Sequence, residues 1–247
     1  MCERCADVNA KHDLDFGRRR FLAGAAALGA ATGFAWSDAA VAKAKAPPKP
    51  ENVLSPDAAL ARLMAGNERY VQGVARRHDF KHEREPLTRG QNPFAAILSC
   101  ADSRIAPEYC FDCGRGDLFV CRVAGNFAND ESIASFEYAV QVLVTPLILV
   151  LGHDACGAVD AAIKSLKDNT TLPGHLPSLV DALAPAVKDV LDQPGDTLAN
   201  AVRRNVVRTM ATLVAATPIL SVAVADKKLV VAGGIYDLAT GKVAMVG

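Results

Sequence analysis

Five side chains in two short stretches of this 247-residue chain have the types and spacing to do chemistry. The first stretch, Ile97-Leu-Ser-Cys-Ala-Asp-Ser-Arg104, ends an apolar run at Cys100 and then sets Asp102 and Arg104 at alternate positions. Alternate side chains of an extended or tightly turning segment point the same way. A soft ligand, a carboxylate and a guanidinium are therefore presented together. The second stretch, Leu151-Gly-His153-Asp-Ala-Cys156-Gly157, carries an imidazole and a thiol three residues apart. Two thiolates and an imidazole favour Zn2+ over magnesium or calcium. With three protein ligands the fourth tetrahedral position takes water, whose pKa falls toward about 7, which makes a nucleophile at neutral pH.

Asp102 has two roles open to it. As a fourth metal ligand it closes the site. Paired with Arg104 it stays off the metal and accepts a hydrogen bond from the water, and an Asp–Arg pair can be bidentate. A closed structural Cys2-His-Asp site, or buried thiols without metal, is the bland alternative. The catalytic reading is preferred, because Asp is an uncommon structural ligand and Arg104 offers it another partner.

The elements that must position these residues follow from hydrophobic pattern. Apolar runs at 94–99, 118–123 and 147–151 read as buried strands, and 132–144 between the last two has helical spacing. Such an alternation predicts a parallel sheet covered on both faces. Ligands then sit beyond the carboxyl ends of the strands, where Cys100 and His153 fall. Ser55-Pro56-Asp57 reads as a helix start for a helix ending near Gly73. Residues 76–89 read as a charged surface loop and 170–177 as a Pro/Gly loop. Helical spacing recurs at 158–166, 179–191 and 198–213. Residues 229–235 and 243–246 read as a hairpin with a longer loop. Residues 221–225 fit strand or helix by period.

The N-terminus reads as an address. Arg18-Arg19-Arg20-Phe-Leu precedes a short Ala/Gly-rich apolar run and Ala40-Val-Ala42. This order of charged, apolar and small-residue parts marks a secretory signal of the twin-arginine type, residues 1–42, which implies the twin-arginine export machinery as a partner. The run is too short for a stable membrane span. Export to the periplasm or cell envelope is the expectation, and Cys2 and Cys5 would leave with the signal. Residues 43–54 read as a Pro-rich linker and 55–247 as one domain. Net charge is zero and aromatics are few, so nothing argues for nucleic acid. Seven cysteines, unevenly placed, do not make a small disulfide scaffold.

Cys100-Ala-Asp102-Ser-Arg104 with Pro107-Glu108, Gly116-Asp-Leu-Phe-Val-Cys-Arg-Val-Ala-Gly-Asn126, Phe136-Glu-Tyr-Ala-Val140 and Gly152-His153-Asp-Ala-Cys156-Gly157 together resemble the beta-class carbonic anhydrases. Gly66-Asn-Glu-Arg-Tyr70 and Gly234-Ile-Tyr-Asp-Leu238 fit as well. The resemblance implies an α/β fold, with a mainly parallel four-stranded sheet plus an edge strand and helices on both faces. It implies Zn2+ on Cys100, His153 and Cys156, with Asp102 and Arg104 as a dyad, and reversible hydration of carbon dioxide to bicarbonate and a proton. The Gly157 amide is assigned to holding the oxyanion. A homodimer or higher homo-oligomer is implied too, with the first helix on a partner, which would make Leu60, Leu63 and Met64 interface rather than core. The same resemblance favours a short helix near 221–227.

Two rivals share these residues. One is hydrolysis of carbon disulfide or carbonyl sulfide on the same fold, with 76–92 and 168–178 shaping access. The other is a zinc-binding envelope protein closed by Asp102. Cys110, Cys113 and Cys121 depart from the family's pattern. They read as small buried side chains in preference to a redox pair or second metal site, with a disulfide among them left open. His78-x-x-x-His82 has metal-pair spacing but reads as solvated surface, and His175 receives no role.

Overall fold

β1 (Ala95–Ser99) and β3 (Leu147–His153) are buried along their whole length. Strands apolar on both faces belong inside a covered parallel sheet. The computed structural model describes residues 52–79 and 81–246, and these build such a sheet. With β2 (Leu118–Arg122), β4 (Val230–Tyr236) and β5 (Val243–Val246), the strand order is β2-β1-β3-β4-β5. The first four strands are parallel and β5 is antiparallel to β4. This is the mainly parallel sheet with an added edge strand expected from the sequence. The signal segment 1–42, with Cys2 and Cys5, and linker residues 43–51 lie outside the described residues.

The helices are α1 (Pro56–Val71), α2 (Arg84–Leu87), α3 (Pro107–Cys110), α4 (Asp130–Gln141), α5 (Gly157–Asp168), α6 (Leu176–Lys188), α7 (Thr197–Ala215) and α8 (Ile219–Ala225). α1 starts where the sequence predicts: the Ser55 hydroxyl accepts from the Ala58 amide and Pro56 occupies the first turn. α1 and α3 cover one sheet face, packing Leu63, Cys110 and Phe111 on Ile97 and Leu149. α4, α7 and α8 cover the other, with Phe136, Val206 and Leu220 on Leu98 and Val150. α5, α6 and α7 form a third cluster, of Val159, Leu183 and Val202, that takes in Cys100 and Cys156. No single helix among the described residues is long and apolar enough to cross a membrane.

Differences from the sequence reading have local causes. α2 and α3 span about one turn each, too short to print a helical period. α6 begins at Leu176, three residues before the predicted start, because Pro177 sits in its first turn, where a missing N–H costs nothing. The stretch 221–225, open by period, is no such difference: it is helical within α8, as the resemblance favours. Leu63 is fully buried in its own chain's core, and Leu60 and Met64 pack partly buried on the same cluster. Leu63, offered to a partner in the sequence reading, thus serves the internal core.

Ordered packing reaches back to Asn52. Its buried amide donates to the Asn92 carbonyl (2.8 Å) and to Asp117 (3.0 Å), and its oxygen accepts from Arg62 (2.6 Å). Asn67 of α1 stitches that helix to the sheet edge, donating to the carbonyls of Cys110 and Gly241 and accepting from the Val243 amide. α1 then lies so close to the turn after α3 that a Cβ at Gly66 would collide with the Phe111 carbonyl. Backbone cannot yield as a side-chain tip can. Gly66→Ala is expected to cost about 3 kcal/mol, a fall in Tm of about 6–12 °C. Thermal unfolding beside wild type checks this, and an unchanged Tm would contradict the contact.

Candidate metal centre

β1 and β3 are parallel neighbours paired Ser99↔Leu151, so both end on the same side of the sheet. Cys100 follows β1 directly, and His153 is the last residue of β3. The chain then turns through Asp154 and Ala155, the latter in the left-handed region at φ 48°, and delivers Cys156 as the residue capping α5. The left-handed region costs a non-glycine residue about 1–2 kcal/mol. Packing of α5 on α6 and α7 holds it there.

The ligand atoms of Cys100, His153 and Cys156 lie within 4.8 Å of one another, and all three residues are buried. His153 Nδ1 is 2.7 Å from the Asp154 carbonyl. A carbonyl can only accept, so Nδ1 carries the proton and Nε2 presents its lone pair. Nε2 is buried with no hydrogen-bond partner. The Cys100 thiol is pulled down to about 4, first by the Cys156 thiol donating to it, with help from His153 and from the Gly125 amide at 3.3 Å. Cys156 is pushed up in exchange, because Cys100 takes its proton as a hydrogen bond and burial adds to the effect. Two buried sulfurs side by side and an orphan imidazole nitrogen are the donor set of a soft, tetrahedral divalent metal ion. The residues fit such an ion. This is the one such cluster of three among the described residues.

Asp102 stands beside the cluster, with Oδ2 3.8 Å from His153 Nε2. Both its oxygens are engaged by Arg104: Nε and the backbone amide donate to Oδ1 at 2.9 Å, and Nη2 donates to Oδ2 at 2.6 Å. The guanidinium holds the Asp102 carboxyl well below the usual carboxylate range. Of the two roles open to Asp102, the structure displays the Arg-paired one. A closed four-ligand site would require it to leave Arg104. Gly157 opens α5, and a Cβ there would meet nothing within 4 Å, so the helix start faces free space beside Cys156.

Sequence reasoning missed the supports behind this site. Gly125 has φ 84°, which disfavours a side chain, and a Cβ there would crowd Leu183. The Gly125-Asn126 pair after a strand is a turn signal that could have found it. Asn205, buried on α7, donates to the Gly125 carbonyl at 2.7 Å and so steadies the amide that reaches Cys100. No local pattern marks Asn205.

The other predicted features are peripheral. Cys110, Cys113 and Cys121 are free thiols. Burial pushes Cys110 up to about 11 and Cys113 up to about 12, as befits small core side chains. His78 sits half-buried between Glu83 and Asp112, and His82 is exposed on Asp79, so they do not form a ligand pair.

Fold and site together define a metalloenzyme class: a parallel α/β sheet carrying a Cys2-His centre with an Asp–Arg pair at its mouth. Residues 95–243 match the family model described as carbonic anhydrase. Carbonic anhydrase 2 of Mycobacterium tuberculosis is 39% identical over 196 residues, covering 77% of this chain and 93% of that protein. The carbonic anhydrase of Mycolicibacterium smegmatis is 42% identical over 134 residues, 54% of this chain and 65% of that one. Among solved structures, the beta-carbonic anhydrase CcaA superposes with a TM-score of 0.58 at 28% identity, covering 75% of this chain and 94% of that chain. The chain belongs to the carbonic anhydrase family, in its beta class.

Proposed function

We propose that this chain binds zinc at Cys100, His153 and Cys156 and catalyses the reversible hydration of carbon dioxide to bicarbonate and a proton. The observation that carries this reading is the orphan Nε2 of His153 facing two thiols while Arg104 keeps Asp102 occupied. Zinc supplies a Lewis acid that lets water give up a proton near neutral pH. The protein's own groups do the rest. Asp102, kept ionised by Arg104, accepts a hydrogen bond from the attacking water and aims its oxygen lone pair at the carbon. The oxygen–carbon bond forms as a carbonyl π pair moves onto oxygen, and the water's proton leaves to buffer. The Gly157 amide, in the open first turn of α5, donates to the oxygen that gains charge. Purified protein should carry about one zinc per chain and accelerate carbon dioxide hydration in stopped-flow pH-indicator assays. A metal-loaded sample no faster than buffer from pH 7 to 9 would defeat the proposal.

The working unit in this reading is a homo-oligomer. β2 is a half-exposed edge strand, and Tyr109, Val142, Val144 and Val222 stand in solvent on a single chain. Unpaired edges and apolar side chains of this kind are normally covered. A monomer in sedimentation velocity would argue against it. Arg18-Arg19 and the apolar run behind them support export to the cell envelope by the twin-arginine route. Recovery of the chain from the cytoplasm alone would exclude that.

A further inference from the structure

The loop that carries Cys100, Asp102 and Arg104 is held from behind by one side chain. Arg122 is the last residue of β2 and pairs in register with Ser99. Its Nε donates to the Cys100 carbonyl at 2.9 Å, and its Nη2 donates to the carbonyls of Asp102 at 2.7 Å and Ile105 at 2.8 Å. No carboxylate pairs with Arg122 among the described residues. Its guanidinium fork is spent on backbone, at three points spanning residues 100–105. Other long-range ties of this loop are few: the Ala101 amide to the Val123 carbonyl at 3.2 Å, the Gly125 amide to Cys100 Sγ, and Arg104 Nη2 to the Ala155 carbonyl at 3.4 Å.

The consequence falls on Asp102. Arg104 grips its carboxylate, but Arg104 rides on the same loop and cannot by itself set where the pair sits relative to the ligand cluster. Asp102 Oδ2 is 3.8 Å from His153 Nε2, so a peptide rotation of ångström size would change what the carboxylate reaches. Arg122 fixes that peptide by its carbonyl, and it is anchored on a strand that does not belong to the loop. We infer that Arg122 is a positioning residue: by binding the carbonyls of Cys100, Asp102 and Ile105 it sets the Asp102–Arg104 pair at the distance where it serves water and stays off the metal. This rests on the reading of the site as a carbonic anhydrase centre. Lysine cannot replace the fork, since a point charge lacks its planar, fixed donors.

The test compares wild type, Arg122→Ala and Arg122→Lys as full-length proteins. It measures metal content, thermal unfolding, steady-state carbon dioxide hydration and the visible spectrum of the cobalt-substituted forms at one pH. Arg122→Ala is expected to keep its metal and lose about 10- to 100-fold in kcat, the range that ångström-scale misplacement costs. KM should stay within about twofold, because the residue touches no substrate. Its cobalt spectrum should change, reporting a different ligand in the fourth position. Arg122→Lys should fall between the two, and methylguanidinium should restore part of the Arg122→Ala rate. A lower Tm with unchanged kcat and cobalt spectrum would reduce Arg122 to a structural brace and overturn the inference. If Arg122→Ala does not fold, Arg122→Lys decides: wild-type kcat and spectrum would overturn it. If wild type shows no hydration at all, the proposed function fails separately, while the cobalt spectra still read the placement of Asp102.

Discussion

Arg104→Ala is expected to lower carbon dioxide hydration by about a hundredfold or more and to leave the metal in place. The size follows from what the guanidinium does. It satisfies both Asp102 oxygens and keeps the carboxylate ionised. Removing it would free a charged, mobile group 3.8 Å from His153 Nε2. With zinc held by Cys100, His153 and Cys156, a free carboxylate there would compete for the ion, and Asp102 would take the position that water needs. Two effects combine: the water loses its acceptor, a contribution of about 10²–10⁴ in general acid–base catalysis, and it loses its place. Arg104→Lys should retain more activity, since one ammonium can hold one oxygen but not both. Asp102→Asn should also lose turnover while keeping metal, because a neutral amide neither competes for the cation nor accepts as strongly. Stopped-flow assay with metal analysis on the same samples decides the matter. Wild-type kcat in Arg104→Ala, or loss of metal from it, would show that the pair is not a gate.

Cys156→Ala is expected to remove the metal and the activity together. Loss of even an outer partner of a metal ligand costs about 10–100-fold in affinity, so loss of a ligand itself should exceed that. The remaining Cys100 and His153 are two donors where the open site needs three from the protein. Cys113→Ala is the control: its thiol is half-buried, pushed up by desolvation and outside the cluster, so metal and rate should not change. Metal removal from wild type should itself be destabilising. It strands His153 Nε2 in the interior without a partner, at a cost of about 1–3 kcal/mol, and forfeits the binding free energy. Chelated protein should therefore melt several degrees lower and recover on adding zinc. A Cys156→Ala protein that retains stoichiometric metal would refute the assignment of ligands.

Much of this was legible in the chain because the informative relationships are short. Cys100, Asp102 and Arg104 lie on one segment, and His153 and Cys156 on another. Each set is defined by local spacing, and ligand chemistry is a property of residue type. The parallel sheet was legible for the same reason: β1 and β3 are apolar along their entire length, a pattern few other environments tolerate. What failed was of two kinds. α2 and α3 are shorter than the period used to recognise a helix. Leu63 went to the internal core because α1 docks on its own sheet through Asn67 and through the close approach at Gly66. Helical spacing states that a face is apolar but not what covers it.

The sequence by itself determined the donor set, its division into two halves and the two partners open to Asp102, since all of these follow from residue type and near-neighbour geometry. Only the tertiary structure decided that the halves meet, because their meeting depends on β1 and β3 being neighbours in the sheet. It also decided that Asp102 lies with Arg104, that Asn205 steadies the Gly125 amide on Cys100, and that Arg122 braces the loop from β2. Apart from the Asp102–Arg104 pair, which is local, those contacts join residues far apart along the chain, and hydrogen bonds of that range leave no period or spacing behind in the sequence.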